Sequence, residues 1–463
     1  MNIKYKKSNE EKIREVNFYF EDEKQKLDTP KATFLNFKIE KNYNRRKFMS
    51  LIKSIIVKVK SEKFSKIAFN YQQIRDLKID EINFGNFDRA KIFVENLIIA
   101  EYKFDKYLSK KDRRIDEILI FGDFQNKEKE GFAEAKIVAD GVNIARNLAN
   151  TPGSDMTPTI LEQEIRKMFQ GLKNIKISVI DEKKAEALGM NLFLAVARGS
   201  KEEAKMIIVE YNGGKIGDKR TVYLGKGITY DTGGLSLKPT LSMLGMEKDM
   251  TGAATVVSAL YSIAHLGLKK NITAVAIATE NAISDKAYKP GDLLKSMSGI
   301  TVEVKNTDAE GRLALADALT YIVKNIKPVK IIDVATLTGA ASVALGERAS
   351  ALMTKNEEMG QTIREIGEKT GDFVWPLPLW DEYEEEIKGE LADIANIGKT
   401  AYGGTIAAGI FLYQFVKEAV KDGSLEWAHL DISPRMNSIK DDNLEYGATG
   451  EPVRLLVEYA KNL

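Results

Sequence analysis

The chain contains no cysteine, which excludes disulfide frameworks, thiol nucleophiles and cysteine-built zinc sites together. Histidine is nearly as scarce. His265 and His429 are the only two in 463 residues, too few for a three-histidine zinc site. His265 lies in an apolar stretch with helical spacing, where a core or surface role is the ordinary one. Any catalysis is therefore expected to run on carboxylates, Lys, Arg, Ser, Thr or Tyr. No apolar run approaches the roughly 18 residues of a membrane span, and the opening MNIKYKKSNEEKIRE has no apolar signal segment. A cytoplasmic protein with no membrane partner is the expectation.

What is present is a globular composition, 44% apolar and 29% charged. Length alone suggests roughly three domain-sized units, and two domains, one of them large, fit as well. The net charge of +2 conceals an asymmetry, because residues 1–60 hold 16 Lys and Arg against 8 Asp and Glu. Such a region could meet DNA or an acidic partner. No nucleic-acid motif accompanies it, and a solvated lysine-rich surface has the same composition.

Up to about residue 130, short apolar segments such as KIAFNY and EILIFG alternate with charged, partly helical stretches, as in a mixed α/β unit. EAKIVADGVNIARNLAN (134–150) has helical spacing and stops at TPGSDMTP. This gives an expected N-terminal α/β domain over 1–150, ending in a linker helix, and a larger C-terminal domain over 151–463. In the latter, KISVI, MIIVEY, TVYLG, NITAVAIATE, TVEVKN and VKIIDVATL read as strands. Helical patterns between them, including one from about Thr251 and LALADALTYIVKNI, predict a mainly parallel or mixed sheet flanked by helices. Sites in such folds lie at the carboxyl ends of strands.

Two blocks carry the chemistry. NTDAEGRL (306–313) sets Asp308, Glu310 and Arg312 at alternate positions, on one face if the segment is extended. Alone it would be a solvated acidic turn, with Gly311 supplying a positive φ. The second block is YLGKGITYDTGGLSLKP (223–239) with MLGMEKDMTGAA (243–254). It presents Lys226, Asp231, Lys238 and Asp249 among glycines. Its GKG lacks the phosphate-loop pattern, and Asp231 would repel a phosphate. Asp249 by itself would be a first-turn helix acid. If Asp231, Asp249, Asp308 and Glu310 converge, however, four negative charges match two divalent cations. Oxygen donors without thiols leave magnesium, manganese and zinc open. Two cations roughly 3.5–4 Å apart activate a water and clamp the oxygens of a hydrolytic transition state. Lys238 and Arg312 then remain for developing negative charge, and Lys226 could ligate as the neutral amine. Peptide and phosphoester hydrolysis share this logic.

These residues resemble the leucyl, or cytosol, aminopeptidases, a family of two-metal exopeptidases. NTDAEGRL is similar to the family signature, and GKGITYDTGGLSLKP with MEKDMTGAA is similar to its other metal-binding block in order and spacing. DVATLTGA (333–340), NLANTP (147–152) and WAHLDI (427–432) extend the likeness over roughly residues 140–460. Thr232 replaces a common serine, Thr251 a common glycine, and HLDISP stands for HLDIAG. None of these removes a ligand position. The resemblance implies a smaller N-terminal α/β domain, a C-terminal catalytic domain and a homo-hexamer. It implies two zinc or manganese ions held by Lys226, Asp231, Asp249, Asp308 and Glu310, and catalytic roles for Lys238 and Arg312, with bicarbonate near Arg312 as base. It also implies that Met246 lines the pocket for the first side chain of a peptide substrate, whose N-terminal residue, leucine-like or otherwise apolar, is released.

Overall fold

The computed structural model describes residues 1–10, 13–19, 34–38, 43–79, 84–111 and 114–463. Part of the basic excess read in residues 1–60 thus lies outside the described residues. The chain divides into two compact units, residues 1–140 with 438–446, and residues 141–437 with 447–463.

The first unit has a parallel sheet of β1 (Asn2–Lys6), β2 (Glu15–Tyr19), β3 (Phe34–Lys38), β4 (Lys66–Asn70) and β5 (Glu117–Phe121), in the order β1-β5-β4-β2-β3. KIAFNY and EILIFG supply β4 and β5. Their apolar residues pack with α1 (Arg45–Ser61), α2 (Tyr71–Asp76) and α3 (Asn86–Glu101), through Phe48, Ile52, Ile67, Phe69, Phe93 and Ile118 among others. Asn44 and Asn70 start α1 and α2 by accepting from the backbone N–H of Lys47 and Gln72, the usual role of a side-chain oxygen at a helix start. A long helix, α4 (Asn126–Asn150), contains the 134–150 segment.

The second unit is built on β6 (Ile175–Ile180), β7 (Lys205–Asn212), β8 (Arg220–Asp231), β9 (Asn271–Asn281), β12 (Lys330–Ala335), β13 (Ser350–Thr354), β14 (Val374–Pro376) and β16 (Glu426–Asp431). These form one sheet in the order β14-β13-β16-β12-β8-β9-β7-β6. The central strands β16, β12, β8 and β9 run parallel, and antiparallel pairs flank them, so the sheet is mixed. A small second sheet joins β10 (Leu293–Lys295), β11 (Thr301–Glu303) and β15 (Ile394–Ala395). Strands β8 and β9 are buried along nearly their whole length, which is why they read as near-continuous apolar runs rather than alternating ones.

Before the site, the chain adds α5 (Pro158–Met168), α6 (Glu182–Ala187), α7 (Asn191–Ala197) and α8 (Thr240–Met243). Two more helices, α9 (Thr251–His265) and α10 (Glu310–Tyr321), pack on the sheet. They lie on opposite faces of β8, as its alternation dictates. A Cβ on Gly225 would lie 2.4 Å from the Gly252 oxygen at the start of α9, whereas one on Gly311 of α10 would lie 2.4 Å from Cε of Lys226. The glycines of GKG therefore admit a helix against one face, while the lysine between them projects from the other. Among the described residues no helix is long and apolar enough to cross a membrane.

Candidate metal centre

The pairing of β8 with β12 stops at Gly225–Val334, while β8 continues along β9 to Asp231–Asn281. The fork between β8 and β12 admits the start of α9, where a Cβ on Gly252 would meet the Val334 oxygen at 2.2 Å and the Lys226 nitrogen at 2.9 Å. A crevice at the carboxyl ends of parallel strands is where doubly wound sheets build their sites. The short 3-10 turn Met246–Met250 leads into α9, and it carries Asp249 and, half-buried at its start, Met246.

Lys226 and Asp231 are five apart on β8, so strict alternation would send them to opposite faces. The register shifts between Ile228 and Tyr230, and this β-bulge inserts one residue and restores the parity. Bulges re-aim side chains in this way. Asp231 thereby shares a face with Lys226. Both belong to β8 itself, which runs on past the TVYLG segment read as a strand from the sequence.

The condition for NTDAEGRL to present its three charged residues on one strand face is not met. The segment is not extended: Asp308 lies in a turn, and Glu310 and Arg312 lie in the first turn of α10. The Asn306 side chain accepts from the Asp308 N–H at 2.8 Å, a local hydrogen bond that favours a turn over a strand. Gly311 supplies no positive φ; it is bare because Lys226 packs against it.

The sequence-predicted carboxylates and lysines converge. Lys226 Nζ lies 2.8 Å from Asp249 Oδ2 and 2.9 Å from Glu310 Oε1, and it donates to the Thr336 carbonyl at 2.9 Å. Lys238 Nζ lies 3.0 Å from Asp231 Oδ2 and 2.5 Å from Asp308 Oδ1. One oxygen each of Asp231, Asp308 and Glu310 falls within 4.8 Å of the others. Arg312 is buried, donates to the Asn396 carbonyl at 2.8 Å, and has no partner for Nε.

Three residues not singled out in the sequence complete the frame. Thr336 donates to Asp249 Oδ1 at 2.7 Å. Thr307 donates to the Gly233 carbonyl at 2.7 Å and accepts from the Ser236 N–H at 2.8 Å. Asn281 donates to Asp231. Thr336 and Thr307 lie inside or beside recognised segments, but Asn281 is marked only as a polar residue closing an apolar strand. Thr232, one of the departures from the family pattern, uses its hydroxyl to donate to the Asn281 carbonyl at 2.8 Å, which a serine hydroxyl could also do. His265 is exposed at the end of α9, its ring against Tyr261. His429 is buried, with Nδ1 on Asp333, and Trp427 donates to the same carboxylate at 2.7 Å.

The electrostatics point to a cation. Burial, then the neighbouring Asp231, push the Glu310 carboxyl up to about 8. Burial pushes Asp249 up to about 6, and Asp308 moves in the same direction for the same first cause. Burial would lower the Lys226 pKa, but Asp249, Glu310 and Asp231 outweigh it and hold the ammonium form. Lys238 behaves alike, with Asp231 the main opposing charge. Clustered, desolvated carboxylates favour whatever positive charge is at hand. Glu310 Oε2 is buried and has no hydrogen-bond partner in the protein, which is unusual for a buried carboxylate oxygen. An all-oxygen donor set with an orphaned carboxylate oxygen fits a hard or borderline divalent cation.

The model of the cytosol aminopeptidase family, catalytic domain, matches residues 143–457. The chain is 41% identical over 405 residues to a "Probable cytosol aminopeptidase" of Clostridium tetani, covering 86% of this chain and 81% of that protein. It is 43% identical over 377 residues to the "Cytosol aminopeptidase" of Pseudomonas aeruginosa, covering 80% and 74% respectively. A "Probable cytosol aminopeptidase" of Pseudomonas syringae is 42% identical over 392 residues, with 83% and 77% covered.

Proposed function

The chain belongs to the cytosol aminopeptidase family and is an aminopeptidase; from that premise we propose that it releases apolar, leucine-like N-terminal residues from peptides at a centre of two divalent cations. The observation that carries the reading is the convergence of Asp231, Asp308 and Glu310, with one Glu310 oxygen left unpartnered. Asp231, Asp249, Asp308, Glu310 and Lys226 would hold the ions, zinc or manganese. Such cations supply the charge that makes water nucleophilic near neutral pH and polarises a scissile carbonyl.

The protein's own groups then have defined tasks. Lys238 is tied up by Asp231 and Asp308 while it alone neutralises them. Once those carboxylates are otherwise compensated, its ammonium is free to donate to the carbonyl oxygen as negative charge develops there. Arg312 is held from one side by Asn396 and keeps Nε unspent, so it can grip an anion. Bicarbonate is our proposal for that anion, acting as proton acceptor. All four carboxylates are committed to cations, and a base must come from elsewhere. Met246, at the lip of the Asp249 turn, would face the substrate's first side chain.

A substrate panel tests the reaction class. Leucyl amides and leucyl peptides should be cleaved, their N-acetylated forms should not, and phosphate esters should be inert. Cleavage of phosphate esters in place of peptides would sink the proposal. Assembly as a hexamer is part of the same proposal. Light scattering should then give six times the 51.7 kDa chain mass, and a monomeric mass would refute it.

A further inference from the structure

We propose that Asn281 is a positioning residue that locks Asp231 to the turn carrying Asp308, and so sets the cation affinity of the centre. The inference rests on the metal-centre reading above. Asn281 closes β9, directly paired with Asp231 at the end of β8, and it is 1% exposed. Its Nδ2 donates to Asp231 Oδ1 at 2.8 Å and to the Thr307 carbonyl at 3.0 Å. Both partners are acceptors only, so the amide nitrogen must face them and its two hydrogens are both used.

The result is a division of labour within one carboxylate. Asp231 Oδ1 accepts from Asn281 and from the Gly233 N–H, each at 2.8 Å, which leaves Oδ2 to face Lys238 and the centre. The same amide fixes Thr307, the residue before Asp308. It thereby ties the strand end that carries one acid to the turn that carries another. The main chain contributes as well: the Asn281 carbonyl accepts from the Thr232 N–H at 3.0 Å and from its hydroxyl at 2.8 Å.

Asn281 Oδ1 is buried without a partner. The backbone at Gly234 crowds it so closely that a Cβ there would lie 2.9 Å away. An unpaired buried amide oxygen is unfavourable, and the position retains it together with a neutral donor among acids. A carboxylate here would repel Asp231, and an ammonium would compete with the cations. Groups that orient metal-binding carboxylates without touching the ion typically change affinity by about 10–100-fold when removed.

The test is calorimetric titration of Mn²⁺ into the chelator-stripped full chain at pH 8, comparing wild type, Asn281→Ala and Asn281→Asp. Positioning predicts that both variants bind about 10-fold or more weakly at a temperature below their own metal-free unfolding transitions, which the loss of two buried hydrogen bonds should lower. The aspartate variant is decisive, because it adds negative charge while losing the donor. It is isosteric and carries the test alone if the alanine variant does not fold. Tighter binding by Asn281→Asp, or binding by folded Asn281→Ala within about twofold of wild type, would overturn the inference. If wild type itself binds no Mn²⁺, the metal-centre reading fails first, and that outcome is distinct from the other two.

Discussion

As a proposed metal ligand, Lys226 would have two incompatible duties, which its protonation state separates. In the arrangement described, it is an ammonium between Asp249 and Glu310, held in that form by the surrounding acids against the effect of burial. To donate a lone pair to a cation it must give up that proton, which an adjacent dication favours. Glu310, raised to about 8 by burial and Asp231, also gives up a proton to a cation whenever the pH lies below that value. Protons and cations therefore compete for the same oxygens, and affinity should climb as pH rises towards about 8. Above that, at pH 9, Glu310 is mostly ionised beforehand. Calorimetry in buffers of different ionisation enthalpy should then find at least one proton released as the centre fills, that of Lys226, besides any lost by a bound water. Release near zero at pH 9 would mean that Lys226 stays an ammonium and is no ligand.

Between elements, the contact that sets the site is the first turn of α10 against β8. Gly311→Ala would place a Cβ 2.4 Å from Lys226 Cε, against a side chain fixed by Asp249, Glu310 and Thr336. Overpacking of this kind typically costs about 1–3 kcal/mol. The variant should fold with a lowered melting temperature and lose most of its peptidase activity; full activity at an unchanged melting temperature would refute the packing argument. The strands and helices on either side of this contact were legible in the sequence because their apolar runs are long. NITAVAIATE became β9 (Asn271–Asn281) and VKIIDVATL became β12 (Lys330–Ala335). The acids were legible as a set because two motifs name them. What alternation could not reveal was how they face one another. The bulge at Ile228–Tyr230 has no strong residue signature, yet without it Asp231 would point away from Lys226. The helix expected from LALADALTYIVKNI begins three residues earlier, at Glu310, and the alternate acids of DxExR gave no sign of that start because their spacing is not a helical one. Asn281 escaped notice because a polar residue at a strand end ordinarily signals only the end of the strand.

At the scale of the molecule, the catalytic family match covers residues 143–457, and every group assigned here lies within the second unit. The centre draws on the end of β8, the turn before α9, the start of α10 and the Thr336 loop after β12, so no single motif suffices to build it. Removing the proposed cations or the Glu310 carboxylate should therefore silence the whole constellation while the fold persists. Lys238→Ala, which leaves the acids in place, should instead lower turnover by about 10²–10³-fold, the usual cost of losing one donor to a developing oxyanion. The most direct measurement is leucyl-anilide hydrolysis by chelator-stripped protein, with Mn²⁺, Zn²⁺, Co²⁺ or Mg²⁺ added back to wild type and to Glu310→Ala. Stripped wild type should be inactive and regain activity with at least one of these ions, while folded Glu310→Ala should recover with none. Near-wild-type turnover by folded Glu310→Ala, or full activity of the stripped wild-type chain, would contradict the account.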